Sequence, residues 1–128
     1  MAACAVGSAG KVIISDNLPG RATSDMADDV ARTVSTVVAR FGLKETRELK
    51  KYYNQPCTME RACIWTPEGK PWLDPWVYAF LAHDGRVHVG IEKRNAWYSE
   101  QVKQITQEVA NELRVRFGSE SVSIDMDY

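Results

Sequence analysis

Two histidines and a glutamate lie close together in one short segment of the chain, VYAFLAHDGRVHVGIEKR (77–94). In a predicted β-hairpin, His83 and His88 stand diagonally across from each other on one face. Glu92 follows His88 by four residues, on the same face of the same strand. Imidazole nitrogens and carboxylate oxygens are ligands of catalytic zinc ions. The segment therefore contains a candidate metal centre, His83-His88-Glu92, of the kind that a metal-assisted or carboxylate-based hydrolase uses.

Two of the three cysteines, Cys57 and Cys63, lie close together in the segment CTMERAC. In an oxidising compartment, a local disulfide between them would stabilise the fold by very roughly 2 kcal/mol. In a reducing compartment, both would remain buried thiols. A metal or redox role is a third interpretation, although the spacing differs from the usual C-x-x-C motif. The sequence favours the structural disulfide and leaves the other two interpretations open.

The third cysteine, Cys4, belongs to the opening segment MAACAVGSAG. Ala2-Ala3-Cys4-Ala5 resembles the end of a bacterial lipoprotein signal, in which small residues precede a cysteine that is lipidated after cleavage. This resemblance covers four residues and identifies no specific family. It implies lipidation at Cys4 and a location in the periplasm of the bacterial cell envelope, with the membrane contacted through the lipid only. The alternative is a cytosolic protein whose first residues are frayed and whose cysteine is incidental.

A proline-rich loop, PEGKPWLDPW, contains Trp72 and Trp76 together with Lys70 and Asp74. Such a loop loses little entropy on binding, and tryptophan supplies a large contact area. We therefore predict a protein-binding surface formed by these four residues and Trp97. The alternative is that the tryptophans cover the open end of the core or one face of the sheet. The binding interpretation requires that Trp72 or Trp76 be substantially exposed.

The length of 128 residues suits a single domain, and the charged fraction of 26% is ordinary for a globular protein. We expect residues 1–10 to form a flexible tether, because small side chains and glycine gain little from ordering, and residues 11–128 to form the domain. The net charge of −1 lacks the basic excess of a dedicated nucleic-acid binder. The chain contains no nucleophile elbow, phosphate-binding glycine loop or HExxH motif, so no cofactor is predicted.

Two strand–helix units with the same apolar pattern stand 76 residues apart in the chain. Each helix is amphipathic, with a stripe of apolar residues at helical spacing. Gly42 and Gly118 are expected to end the two helices, and Ser99 to cap the start of the second. The matching segments are KVIISDN (11–17) and RVHVGIEKR (86–94) for the strands, and residues 23–42 and 99–118 for the helices.

The dipeptide Asp84-Gly85 fits a two-residue type I′ turn between two apolar strands. This turn sets the register of the predicted hairpin, and the register decides which side chains share a face. The apolar face would then consist of three cross-strand pairs, which are Ala82 with Val87, Phe80 with Val89, and Tyr78 with Ile91.

The remaining strand candidates are TRELKKYYN (46–54), MERACIW (59–65) and the alternating segment SVSIDMD (121–127). The resulting order predicts an α+β fold in which two amphipathic helices pack on one face of an antiparallel sheet. The order resembles a ferredoxin-like plait with a central insertion near residues 44–76.

These observations predict a small, non-catalytic envelope lipoprotein domain that binds a protein partner. It would act as an adaptor, an assembly factor or an inhibitor of the immunity type, and neither nucleic acid nor a cofactor is expected. The alternative is the hydrolase centred on His83, His88 and Glu92. The oligomeric state is left open, because a sheet face without helices needs either water-tolerant residues or a second subunit.

Overall fold

The computed structural model describes residues 7–15, 24–46, 63–70, 72–94 and 99–127. Within these residues the chain forms two helices and a six-stranded antiparallel sheet. The elements in chain order are β1 (Gly7–Ile14), α1 (Ser24–Ala39), β2 (Leu43–Glu45), β3 (Cys63–Pro67), β4 (Trp76–Leu81), β5 (Val87–Arg94), α2 (Glu100–Phe117) and β6 (Val122–Asp127). The strand order in the sheet is β2-β3-β4-β5-β1-β6, and a short 3-10 helix, Ser119–Ser121, leads into β6.

Both helices pack on the same face of the sheet and against each other. Helix α1 lies over β2, β3 and β4, while α2 lies over β1, β5 and β6. This arrangement confirms the predicted α+β fold with two helices on an antiparallel sheet. The finer comparison with a ferredoxin-like plait stays an interpretation of the sequence pattern.

The core forms where the apolar stripes of the helices meet one face of the strands. Helix α1 contributes mainly valines and α2 contributes Val102, Ile105, Val109 and Leu113, all fully buried. Each such side chain stabilises the fold by about 1.5–3 kcal/mol when it is fully removed from water. In β5, buried residues alternate with residues on the opposite face, as expected for a half-covered sheet.

The predicted helix ends are confirmed. The Ser99 hydroxyl accepts a hydrogen bond from the Val102 backbone N–H at 3.2 Å and so caps α2. Gly118 ends this helix with a φ of 91°, and its N–H donates to the Arg114 carbonyl at 2.8 Å. Gly42 follows α1 with a φ of 77°, a conformation that glycine adopts without steric cost.

Ion pairs also connect the helices of the two strand–helix units. Arg40, which follows α1, lies 3.8 Å from both Glu108 and Glu112 of α2. Arg116, which stands 76 residues later in the equivalent place on α2, contacts Asp29 of α1 at 2.7 Å. The Arg116 guanidinium lowers the pKa of the Asp29 carboxyl, chiefly through this hydrogen bond.

The predicted register of the β4–β5 hairpin is wrong by one residue. Leu81 pairs with Val87 and Tyr78 with Gly90, so the turn contains three residues between Ala82 and Arg86 instead of two. The Ala82 N–H donates to the Arg86 carbonyl at 2.9 Å, and Gly85 takes a φ of 80°. A three-residue turn that ends in a left-handed glycine is the next most common hairpin geometry.

This shift moves each side chain of β4 to the face opposite the predicted one, whereas the side chains of β5 lie on the predicted faces. Val77 and Ala79 point into the core beside Val87, Val89 and Ile91, and all five are fully buried. The predicted register puts Tyr78, Phe80 and Ala82 on the apolar face of the hairpin, but these side chains lie on the face opposite the helices and are partly exposed. A one-residue slip has this effect because successive side chains of a strand alternate between faces.

Strand β1 begins at Gly7, four residues earlier than the sequence pattern predicts. Residues 7–10 therefore belong to the sheet instead of to the expected tether of residues 1–10. The reason is tertiary: Ala9 pairs with Glu92 of β5 and with Asp127 of β6, so the backbone ladder continues on both sides. Residues 1–6 lie outside the described residues, as does most of the candidate strand at 46–54.

Candidate functional site

The loop between β3 and β4, called here the Trp72 loop (residues 68–70 and 72–75), is held by backbone hydrogen bonds. The Glu68 N–H donates to the Gly42 carbonyl at 3.1 Å, which ties the loop to the end of α1. Gly69 has a φ of 74°, and a Cβ atom there would lie 3.0 Å from the Glu45 carbonyl oxygen. Three further bonds close the loop on itself: Gly69 N–H to Thr66 O, Lys70 N–H to Pro67 O, and Leu73 N–H to Lys70 O, at 2.9–3.1 Å.

Trp72 projects from this loop with 67% of its surface exposed. Among the described residues, Val115 on α2 is the other large apolar side chain with such exposure. Trp76, by contrast, starts β4 and is partly buried. Trp72 therefore satisfies the exposure that the binding interpretation requires, while Trp97 lies outside the described residues.

Charged residues stand on both sides of Trp72 in the sequence of the loop. The Lys70 ammonium contacts the Glu68 carboxylate at 2.9 Å and lowers the pKa of that carboxyl. Asp74 is partly buried and precedes Pro75 through a cis peptide bond. The loop thus presents a large aromatic ring beside charges of both signs, an arrangement typical of the border between the core and the rim of an interface.

The residues of the predicted metal centre do not come together. His83 lies in the three-residue turn, and the His88 Nε2 atom instead bonds the Asp84 carboxylate at 3.1 Å. Glu92 is four residues from His88 on an extended strand, which separates their Cα atoms by roughly 13 Å. Throughout the described parts of the chain, no three His, Cys, Asp or Glu side chains form a group that could hold a metal ion. The alternative prediction of a metal centre at His83, His88 and Glu92 is therefore wrong.

In place of a metal centre, the sheet face opposite the helices carries an aromatic strip, defined here as Tyr78, Phe80 and His88. The Tyr78 and Phe80 rings stack with centroids 6.1 Å apart, and the Phe80 and His88 rings stack at 5.4 Å. The Tyr78 ring covers Gly90 on the neighbouring strand, where a Cβ atom would overlap it. The predicted register hid this strip, because it put Tyr78 and Phe80 on the apolar face with Val89 and Ile91.

A carboxylate binds each end of the aromatic strip. Glu92 accepts a hydrogen bond from the Tyr78 hydroxyl at 3.0 Å, and burial followed by this bond raises the pKa of Tyr78 to about 12. At the other end, Asp84 accepts the Arg86 backbone N–H at 2.9 Å and also bonds His88. These two hydrogen bonds lower the pKa of Asp84, the bond from Arg86 most. Both carboxylates are thus held in place by neighbours in the hairpin.

Cys63 is the first residue of β3 and is fully buried. Cys57 and Cys4 lie outside the described residues, so the predicted disulfide and the predicted lipid attachment stay predictions.

The sequence matches no protein-family model and no curated protein. Among the described residues, no helix is long and apolar enough to cross a membrane.

Proposed function

We propose that this chain is the partner-binding domain of a small bacterial envelope lipoprotein that has no chemistry of its own. It acts as an adaptor, an assembly factor or an inhibitor of the immunity type. The observation that carries the proposal is Trp72, which is two-thirds exposed at the tip of a loop held by backbone hydrogen bonds.

The physical reason is the free energy that is gained when an exposed indole ring is buried in an interface. Tryptophan is among the residues that contribute most at protein interfaces, because its large rigid ring buries much area and loses few rotamers. The bonds between Glu68 and Gly42 and within the loop mean that little backbone entropy is lost on binding. A protein partner that offers an apolar pocket for the ring and polar groups for Lys70 and Asp74 fits this surface.

The envelope location rests on the three cysteines. Lipidation of Cys4 would anchor the domain through the few residues between Cys4 and β1, and a Cys57–Cys63 disulfide would form in the oxidising periplasm. The intact mass of the protein purified from its own host tests both points. We expect a diacylglycerol-type increment on Cys4 and a gain of two hydrogens on reduction. An unmodified chain with three free thiols would contradict the envelope assignment.

The binding assignment is tested by site-specific photo-crosslinking in the native host. A photoreactive amino acid at position 72 is expected to capture a discrete partner, because the side chain would lie inside the interface. The matched control carries the same amino acid at position 115, where Val115 is 85% exposed on the outer surface of α2. The proposal fails if position 72 captures nothing, or if both positions capture the same set of proteins in equal amounts.

A further inference from the structure

The face of the sheet opposite the helices carries a second surface, separate from the Trp72 loop. Along β4 the side chains on this face are Trp76, Tyr78 and Phe80, and Ala82 follows on the same side. Along β5 they are His88, Gly90 and Glu92, and Arg86 precedes them. The aromatic strip is therefore the centre of a surface with Glu92 at one end and, at the other end, Arg86 together with the Asp84 carboxylate that bonds His88.

The two ends of this surface complement each other. Consider a two-fold axis that is perpendicular to the strands, parallel to the plane of the sheet, and passes above the point between Tyr78 and Phe80. This axis would place the two copies face to face, with their strands antiparallel. In that arrangement, Glu92 of one copy lies opposite Arg86 of the other, and both side chains are exposed. The bulky Trp76 lies opposite the small Ala82, and each Tyr78 lies opposite a Phe80. The charges of Arg86 and Glu92 and the sizes of Trp76 and Ala82 are thus matched in both halves at once, as an isologous interface requires.

We propose that a second copy of this chain covers the aromatic strip, forming a two-fold dimer in which Arg86 pairs with Glu92 across the interface. Balanced opposite charges around the strip fit the same surface of another copy better than a partner of one charge sign. The hydrogen bond from the Tyr78 hydroxyl to Glu92 at 3.0 Å supports this pairing, because it holds the Glu92 side chain on this face of the sheet.

The available area suits a reversible dimer. The six strands span about 24 Å across the sheet, and six residues span about 20 Å along a strand, so the whole face measures about 480 Å² per copy. Two footprints give about 1,000 Å², which is near the lower limit for specific interfaces. We therefore expect a dissociation constant in the micromolar range, in place of a permanent dimer.

Sedimentation equilibrium of the full chain over a wide concentration range tests the proposal through a charge swap. Arg86→Glu and Glu92→Arg are each expected to weaken dimerisation by about tenfold or more, because one substitution places two like-charge pairs in a two-fold interface. The double variant restores the opposite charges and is expected to return to within about threefold of the wild type. Arg32→Glu on the outer face of α1 is the control and should leave the dimer unchanged.

Circular dichroism of each variant at low concentration separates a loss of dimerisation from a loss of folding. Phe80→Lys provides a second test, because a charge in the middle of the strip should abolish the dimer while the core side of β4 stays intact. A wild-type protein that remains monomeric at hundreds of micromolar would overturn the proposal. A dimer that is insensitive to both single charge reversals would also overturn it, since the interface would then lie elsewhere.

Discussion

Gly10 lies where β1 passes beneath α2, and its replacement by alanine tests how tightly the helix is seated on the sheet. A Cβ atom at this position would overlap the Thr106 hydroxyl oxygen and lie 2.9 Å from the Thr106 Cγ2 methyl. Thr106 is fully buried, and its hydroxyl donates to the Val102 carbonyl at 2.7 Å. The backbone at Gly10 has little room to move away from Thr106, because β1 is paired on both sides, with β5 and β6.

The expected magnitude follows from this overlap. Overpacking a core by one methyl group costs about 1–3 kcal/mol, and the double pairing of β1 places Gly10→Ala in the upper half of that range. This corresponds to a fall in Tm of roughly 6–15 °C for a domain of this size. Thr106→Ala should cost about 1–2 kcal/mol on its own, since it removes a buried methyl and a hydrogen bond.

The assay is a double-mutant cycle measured by equilibrium urea unfolding. The Thr106→Ala background removes the hydroxyl and the methyl and leaves only the contact with the Cβ of residue 106 at 3.0 Å, so Gly10→Ala should then cost much less. Thr106→Ser removes only the methyl and keeps the hydroxyl oxygen that lies nearest, so it should relieve the cost only in part. The reasoning is refuted if Gly10→Ala costs the same in all three backgrounds.

Three further predictions concern single groups. Ser99→Ala should lower the free energy of unfolding by about 1 kcal/mol, because α2 loses its N-terminal cap, and thermal unfolding with Ser99→Thr as a control measures this. The pKa of Asp29 is lowered in the folded state, so its contribution is present above the unfolded pKa of about 4 and is lost as pH falls through the folded value. Asp29→Asn should therefore flatten the acid limb of stability against pH, and an unchanged limb would show that the Arg116 pair contributes nothing. The pKa of Tyr78 is raised to about 12, so the contribution of this phenol to stability is present below about pH 10 and is lost as pH rises through 12. Ultraviolet difference titration should show one tyrosine ionising late, and Tyr78→Phe should remove that transition; a late transition that survives the substitution would assign it to another residue.

The helices and the core could be predicted from the sequence because their signals are local. The valine stripe of α1, the serine cap of α2 and the glycines that end both helices each act within one or two turns of chain. Strand β5 was also placed on the correct face, since Val87, Val89 and Ile91 alternate with smaller or polar residues. In each case the residue types determine the structure without reference to distant partners.

The hairpin register could not be predicted with the same certainty, because it depends on a choice between two turns. Asp84-Gly85 is compatible with a two-residue turn and with a three-residue turn in which Gly85 alone takes a positive φ. The Asp84 side chain decides between them through its bonds to the Arg86 N–H and to His88, which are contacts that no periodicity reveals. This one-residue difference in register places Tyr78 and Phe80 on the face opposite the helices, where they form the aromatic strip with His88.

The candidate binding site was predictable in its composition but not in its geometry. Prolines and tryptophans marked the Trp72 loop, yet only the folded chain shows that Trp72 is exposed while Trp76 is partly buried. The early start of β1 had no signal of its own, because Gly7, Ser8 and Ala9 have small side chains. Their place in the sheet comes from the pairing of all three with β5 and of Ala9 also with β6.

The most direct test of the proposed function is the affinity of the crosslinked partner for Trp72→Ala, measured by isothermal titration calorimetry against Val115→Ala. If Trp72 is the anchor of the interface, its truncation should weaken binding by about 30-fold or more, while Val115→Ala and the wild type bind alike. The thermal stability of the two variants should be equal, since both side chains are exposed in the free protein. A partner that binds Trp72→Ala within about twofold of the wild type would contradict the account, because a buried anchor is worth far more than that.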